Sequence, residues 1–230
     1  MAQGGTITQR IQDLIGEQHS TDAAYSTDLI NAAINEVADM LPKELLMKYS
    51  SSPTAVTSGT GASIEGKKVL KVIRVDANSG GIERECKELD RTQYAQARDS
   101  ESIHYATVFS PVYHIDSMNT ASNLDIFPDC NGSGQEGNIW TFSYIDDSED
   151  TTAVTAATLS SSHFLPSELI HAIALKSSVN MLKAYIGNQI QDEEDSEMLG
   201  MVQVQVQALE KDFLSEMQRY VPDMEKPKGE

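Results

Sequence analysis

Apolar residues recur at helical intervals near both ends of this chain and at strand intervals in its middle, and that order restricts the folds open to it. Residues 1–49 form the first helical part. Thr6 is placed to cap a short helix over Ile7, Ile11, Leu14 and Ile15, which share one helix face. A polar stretch, 16–26, links to a longer helix with Leu29, Ile30, Ala33, Ile34, Val37, Ala38 and Leu41 on one side. Asp28 is expected in its first turn, where negative charge complements the helix dipole. Pro42 breaks the helix, and Leu45, Leu46 and Tyr49 continue the apolar face beyond it.

Residues 50–150 read as a β-rich insertion opened by the breaker cluster Ser50-Ser51-Ser52-Pro53. Val69, Leu70, Val72, Ile73 and Val75 predict a strand. Ala77-Asn78-Ser79-Gly80-Gly81 offers a turn, and residues 82–89 a returning strand. Asp90 is placed to cap a short helix through Tyr94 and Ala97. Residues 107–115 suggest a strand that Pro111 demotes to an edge or bulge. Leu124-Asp125-Ile126-Phe127-Pro128 and residues 139–145 read as a hairpin, with the turn signal Asn131-Gly132 between them.

Residues 151–221 form the second helical part, periodic from Phe164 onward. Pro166 suits a first helical position, with Glu168 close behind. Leu169, Ile170, Ile173, Ala174, Leu182, Tyr185 and Ile186 make one face, which Gly187 is expected to end. After the polar connection 189–197, a last helix over 196–220 presents Leu199, Val202, Val206, Leu209, Phe213, Met217 and Tyr220. Residues 202–207 alternate like a strand, but the flanking spacing favours helix. Residues 222–230, with two prolines and several charges, read as a flexible arm. The expected fold is therefore α+β: a four-helix-type bundle from both ends of the chain, with an inserted β-rich, sandwich-like subdomain.

The formal net charge of -18 argues against gripping nucleic acid or an anionic membrane. No stretch is apolar enough for a membrane span, and the first residues have neither the basic nor the apolar region of a signal peptide. Cys86 and Cys130 are too few for a disulfide framework or a zinc cage, which favours two buried thiols over one disulfide.

Motifs that carry chemistry are few. Gly61-Ala62-Ser63-Ile64-Glu65-Gly66-Lys67-Lys68 falls one residue short of a phosphate-binding loop, because Lys68 stands where a magnesium-holding hydroxyl belongs; a strand also follows it where a helix is required. Asp76-Ala77-Asn78-Ser79-Gly80-Gly81 opens like a calcium loop but has Lys87 at the twelfth position. His104, His114 and Asp116 are the best polar constellation, with Cys86 a conceivable nucleophile. His114 and Asp116 nevertheless share one strand face, read as solvent-facing. The acidic stretches Asp146-Asp147 and Asp192-Glu193-Glu194-Asp195 read as solvated loops, and Asn131-Gly132-Ser133 as a turn rather than a glycosylation acceptor. No catalytic, cofactor-binding or metal-ligating residue is assigned, and no cofactor is expected.

Three features resemble one family. The amphipathic helix 27–41 leads into Pro42 and Leu45-Leu46. A short helix, 91–98, precedes the Tyr113 strand, Leu124-Asp125-Ile126-Phe127-Pro128 and Trp140-Thr141-Phe142-Ser143-Tyr144. The C-terminal part opens with Leu165-Pro166-Ser167-Glu168-Leu169-Ile170. In this layout the chain resembles head–tail adaptor (connector) proteins of tailed bacteriophages. The resemblance implies a non-enzymatic virion protein, assembled in the host cytoplasm. It would form a ring, usually of twelve copies, that joins the portal to a tail or neck protein, and DNA would pass through without sequence-specific binding. It also implies a C-terminal grip on the portal, for which Phe213, Met217, Tyr220, Val221, Met224, Lys226 and Lys228 are the candidates. The β-insertion is larger than in the smallest, all-helical members. Alternatives are another neck or tail-completion protein (a stopper), or a small hydrolase or metal-binding protein using His104, His114 and Asp116. An acidic passage would not hold DNA phosphates, while the same acidity would also serve solubility before assembly.

Overall fold

The computed structural model describes residues 5–16, 23–56, 61–76, 80–116, 123–130, 135–189 and 196–221. Its helices are α1 (Ile7–Ile15), α2 (Ala23–Met40), α3 (Lys43–Tyr49), α4 (Arg91–Arg98), α5 (Ala156–Ser162), α6 (Ile170–Gln189) and α7 (Ser196–Met217). Its strands are β1 (Thr54–Val56), β2 (Ala62–Ser63), β3 (Lys67–Asp76), β4 (Ile82–Glu85), β5 (Lys87–Glu88), β6 (Val112–Asp116), β7 (Asn123–Phe127) and β8 (Gln135–Ser143). The fold is α+β, with N- and C-terminal helices flanking a β-rich, sandwich-like region. Met1–Leu45 and Ile145–Glu230 make one compact unit, and Leu46–Tyr144 the other.

In the helical unit, α6 is the centre on which α1, α2 and α7 pack. Its buried residues, including Ile170, Ile173, Ala174, Val179, Met181 and Leu182, lie all round the helix, as an enclosed helix requires. The buried Ser177 and Ser178 hydroxyls donate to the carbonyls of Ile173 and Ala174 at 2.8 Å, so neither needs water. Lys176 pairs with Glu36 on α2 and Lys183 with Glu210 on α7, each at 2.6 Å. Thr6 and Gln9 form a reciprocal capping box at the start of α1.

Polar residues of α2 fasten the segment that re-enters this unit. Asn31, fully buried, donates through Nδ2 to the carbonyls of Asp146 (3.0 Å) and Glu149 (2.8 Å), and its Oδ1 accepts from the Thr151 hydroxyl. One turn on, Asn35 bonds both the carbonyl and the amide of Ile145 at 2.9 Å.

Several helix boundaries differ from the sequence expectation. α2 begins at Ala23, which puts Asp28 in its second turn. α5, capped by Thr155, was not expected; Leu159 is its one fully buried apolar anchor. Pro166 precedes a 3-10 turn (Ser167–Leu169), after which α6 starts. α6 also runs through Gly187, since one exposed helical glycine costs only about 1 kcal/mol. Over 202–207 α7 is helical, with Val202 and Val206 buried four residues apart and Val204 exposed.

In the β unit the sheets run β1-β8-β3-β4 and β2-β7-β6-β5. A bulge between Val69 and Lys71 shifts the parity of β3, so Val69 and Val72 both join the inter-sheet core with Ile139, Leu124, Ile126 and Tyr113. Residues 82–89 are not one returning strand. β4 pairs with β3, the chain crosses at Cys86, and β5 pairs parallel to β6 in the other sheet. The expected hairpin of 124–128 with 139–145 is also absent. β7 pairs with β6, and β8 with β3 and β1, so the two strands lie in opposite sheets. Pro111 sits just before β6, which is an interior strand paired on both sides rather than an edge. The proposed turn residues Ala77-Asn78-Ser79 and Asn131-Gly132 lie outside the described residues.

Candidate functional site

The outer face of the β2-β7-β6-β5 sheet carries α4, and most of the polar candidates gather there. Asp90 caps α4 by accepting from the Gln93 amide at 2.8 Å. Tyr94 and Ala97 then pack onto Ala106 and Val112. His114 follows Val112 on the same face of β6, so it is covered by this helix and does not face solvent as its strand position suggested. Its Nδ1 donates to the Leu89 carbonyl at 3.0 Å, and its ring stacks on Tyr94 with centroids 5.3 Å apart. Asp116 is half-buried at the end of β6, and His104 lies exposed in the turn after α4. The three residues thus differ in their surroundings, and His114 has a structural partner for its δ nitrogen.

Cys86 and Cys130 are free thiols buried in the inter-sheet core. Burial pushes the Cys86 thiol up to about 12 and raises Cys130 as well, so neither has the thiolate character a nucleophile needs. Between them runs Arg74, itself buried. Its guanidinium donates to the Pro128 carbonyl (3.0 Å) and to Gln135 Oε1 (3.0 Å).

A cleft of about 370 Å³ opens between α4 and the 102–110 segment. Its floor is Leu89, Ala106 and Val112, and its polar lining is Lys87, Gln93, Gln96, His104 and Ser110. Beside it stand apolar side chains held outward by turns. Ile103 is 95% exposed and Phe109 74% exposed. The Tyr105 amide donates to Ser102 O (3.1 Å) and the Ser110 amide to Thr107 O (3.0 Å), which fixes both turns. The Arg84 guanidinium lies 4.9 Å from the Phe109 ring centre, a cation–π contact. Sequence periodicity could not find this group, because it belongs to turns with no repeat; isolated Ile and Phe between polar residues were its only trace.

The other motifs are accounted for locally. Gly61 has φ of 72°, and a Cβ there would lie 2.8 Å from the Leu124 carbonyl oxygen, so this glycine serves the close approach to β7. The side chains of Asp146 and Asp150 cap their own turns through Ser148 and Thr152. Among the described residues no group of three or more metal-ligating side chains converges. Asn131-Gly132-Ser133 and Asp192-Glu193-Glu194-Asp195 lie outside the described residues.

Of the C-terminal candidates, Phe213 and Met217 are core side chains of the helical unit, at 5% and 0% exposure. They are occupied within the chain and are not free anchors. Tyr220 and Val221 are half-buried, and Met224, Lys226 and Lys228 lie outside the described residues. No protein-family model matches the chain, and no curated protein matches it in sequence.

Proposed function

We propose that this chain is a structural virion subunit of a tailed bacteriophage. Copies of it, twelve in the full assembly, form a ring that joins the portal of the head to the tail or neck and surrounds the DNA passage. The observation that carries the reading is the set of apolar side chains held in solvent on ordered elements: Ile103 and Phe109 in the β unit, and Met201 and Val204 on α7. Large apolar side chains left in solvent on ordered elements are available to meet other proteins. The layout of helical ends around a sandwich insertion agrees with the connector resemblance. The acidic composition suits a wall that must not retain phosphates.

On this reading Tyr220 and Val221, with Met224, Lys226 and Lys228 of the tail, face the portal, and the protein has no catalytic role. The test uses DNA-filled heads that carry portal but lack this protein. Adding the chain should place a ring of density at the portal vertex in electron micrographs and restore tail attachment. Truncation after Val221 should leave the far-ultraviolet circular dichroism helical and reduce head attachment sharply. Heads that gain no density, from a chain shown to be folded, would overturn the adaptor reading. Density that appears only after another neck protein has bound would assign the chain to the next layer.

A further inference from the structure

The cleft under α4 is unusual for so acidic a chain: among the described residues its lining contains no carboxylate. It offers the Lys87 ammonium, the amides of Gln93 and Gln96, the His104 imidazole and the Ser110 hydroxyl over an apolar floor. Several acids near it in sequence have partners outside the cleft. Glu88 accepts from the Tyr113 hydroxyl at 2.9 Å, Asp90 caps α4, and Asp99 accepts from the Glu101 amide at 3.0 Å. Arg84, over the Phe109 ring, adds another cation to the apolar group formed with Ile103. A donor-rich cleft beside exposed apolar groups suits a carboxylate-bearing segment. Hydrogen bonds to charged acceptors are roughly twice as strong as neutral ones, and the apolar neighbours shield them from water.

The chain carries such a segment itself. The β unit holds 12 acidic and 9 basic residues, whereas the helical unit holds 23 acidic and 8 basic. The densest acidic run in the sequence, Asp192-Glu193-Glu194-Asp195, belongs to the helical unit and directly precedes α7. We propose that the cleft is a socket for this acidic run from a second copy of the chain. The proposal rests on the reading of the chain as a ring subunit and names the contact that joins neighbours. Socket and run are different surfaces, so the contact is heterologous; repeated, it closes into a ring or continues as a filament. Net repulsion between copies does not prevent it. At about 0.15 M salt the screening length is about 8 Å, which damps repulsion between distant surfaces and spares a direct contact.

The polarity of the contact supplies its test. One variant carries Lys87→Glu with Phe109→Ser, which spoils the socket. The other carries Asp192→Asn, Glu193→Gln, Glu194→Gln and Asp195→Asn, which neutralise the run. In sedimentation velocity the wild-type chain should associate as concentration rises, while each variant alone stays monomeric. An equimolar mixture should form a heterodimer that grows no further, because its one intact run fills its one intact socket and the surfaces left over are the spoiled socket and the neutralised run. Circular dichroism checks each fold, and Lys87→Glu alone, an exposed substitution, serves if the double socket variant unfolds. A wild-type chain that remains monomeric, variants that associate like it, or a mixture that stays monomeric would each overturn the proposal. Rings on portal-bearing heads formed equally well by both variants would overturn the socket and leave the adaptor reading standing. A heterodimer from chains that fail to bind heads would uphold the socket and remove that reading.

Discussion

The two units solve the problem of buried polar groups in opposite ways. Among the described residues of the helical unit the fully buried polar residues are neutral: Asn31, Thr151, Ser177 and Ser178, each with a hydrogen-bond partner. No charged residue of this unit is fully buried among the described residues, and its large acidic excess costs little at physiological ionic strength. The β unit is nearly balanced in charge, yet it buries two charged residues of β3, Arg74 at 2% and Asp76 at 5% exposure, and Arg74 bonds the end of the β7 segment in the facing sheet. A core of neutral polar groups tolerates substitutions that keep its volume. A core organised by an ion fails when that ion goes, because several carbonyls lose their donor together.

The comparison is most easily broken at Ile173, fully buried on the central helix. Ile173→Ala should cost about 2–5 kcal/mol through lost burial and the cavity left behind. Trp140, the single tryptophan, lies in β8 and reports the β unit, while far-ultraviolet circular dichroism reports mainly the helices. In urea, the dichroism midpoint should fall and the Trp140 fluorescence midpoint should stay in place. Equal shifts in both signals would mean that the units unfold as one, and the contrast between them would not extend to stability.

Arg74→Met sharpens the other side. It keeps much of the side-chain length but removes the donors to the Pro128 carbonyl and Gln135. Leaving such buried acceptors unpaired costs on the order of 1–3 kcal/mol. Here the Trp140 transition should move and the helical one should not. The thiols give a local readout. With burial holding Cys86 near 12, almost none of it is thiolate at pH 8, so both cysteines should resist a thiol reagent in the native protein. In the variant, labelling of Cys86 and Cys130 should accelerate. Unchanged protection would show that Arg74 is not what holds the two sheets over them.

What could be read in the sequence follows the same division. Helices with several apolar anchors were legible, as Ile30, Ile34, Val37 and Leu41 show for α2, and Asp90 marked the start of α4. α5 was not, because Leu159 is its lone large anchor amid alanines, threonine and serines. Strand signals located β7 and β8 but not which sheet each joins, so a hairpin of sequence neighbours is the natural expectation and the wrong one. Cys86 looked like the middle of one strand because no Gly, Pro or Asn interrupts residues 82–89, so nothing marked the crossover between the sheets. His114 looked exposed because nothing in the pattern of β6 itself shows that the preceding helix, α4, packs back over it. The four-residue interval between Phe213 and Met217 fits docking anchors and a core equally well, and both side chains lie in the core. The cleft left no periodic signal, since its donors come from β5, α4 and two turns.

The smallest effect expected separates charge from hydrogen bonding on the helical unit's surface. Asp146 accepts from the Ser148 amide and hydroxyl, which lowers its pKa below the ordinary 3.8, the amide bond being the larger cause. Asp150 is lowered chiefly by the Thr152 hydroxyl and then by its amide. A depressed carboxyl contributes stability that is fully present above its unfolded pKa and is lost as pH falls through the lower, folded value. The turns should therefore hold at pH 5 and loosen only below about pH 4. Asn31 and Asn35 bond the backbone of 145–149 through amide side chains that do not titrate, so the re-entrant segment should stay attached while its two caps release. Amide NMR shifts of Ser148 and Thr152 should titrate at acid pH, while those of Ile145 and Asn31 stay flat. Asp146→Asn should abolish the Ser148 titration and leave that of Thr152. If Ile145 titrates along with Ser148, the asparagine clamp is not independent of the aspartate caps, and surface charge reaches further into the helical unit than its neutral interior implies.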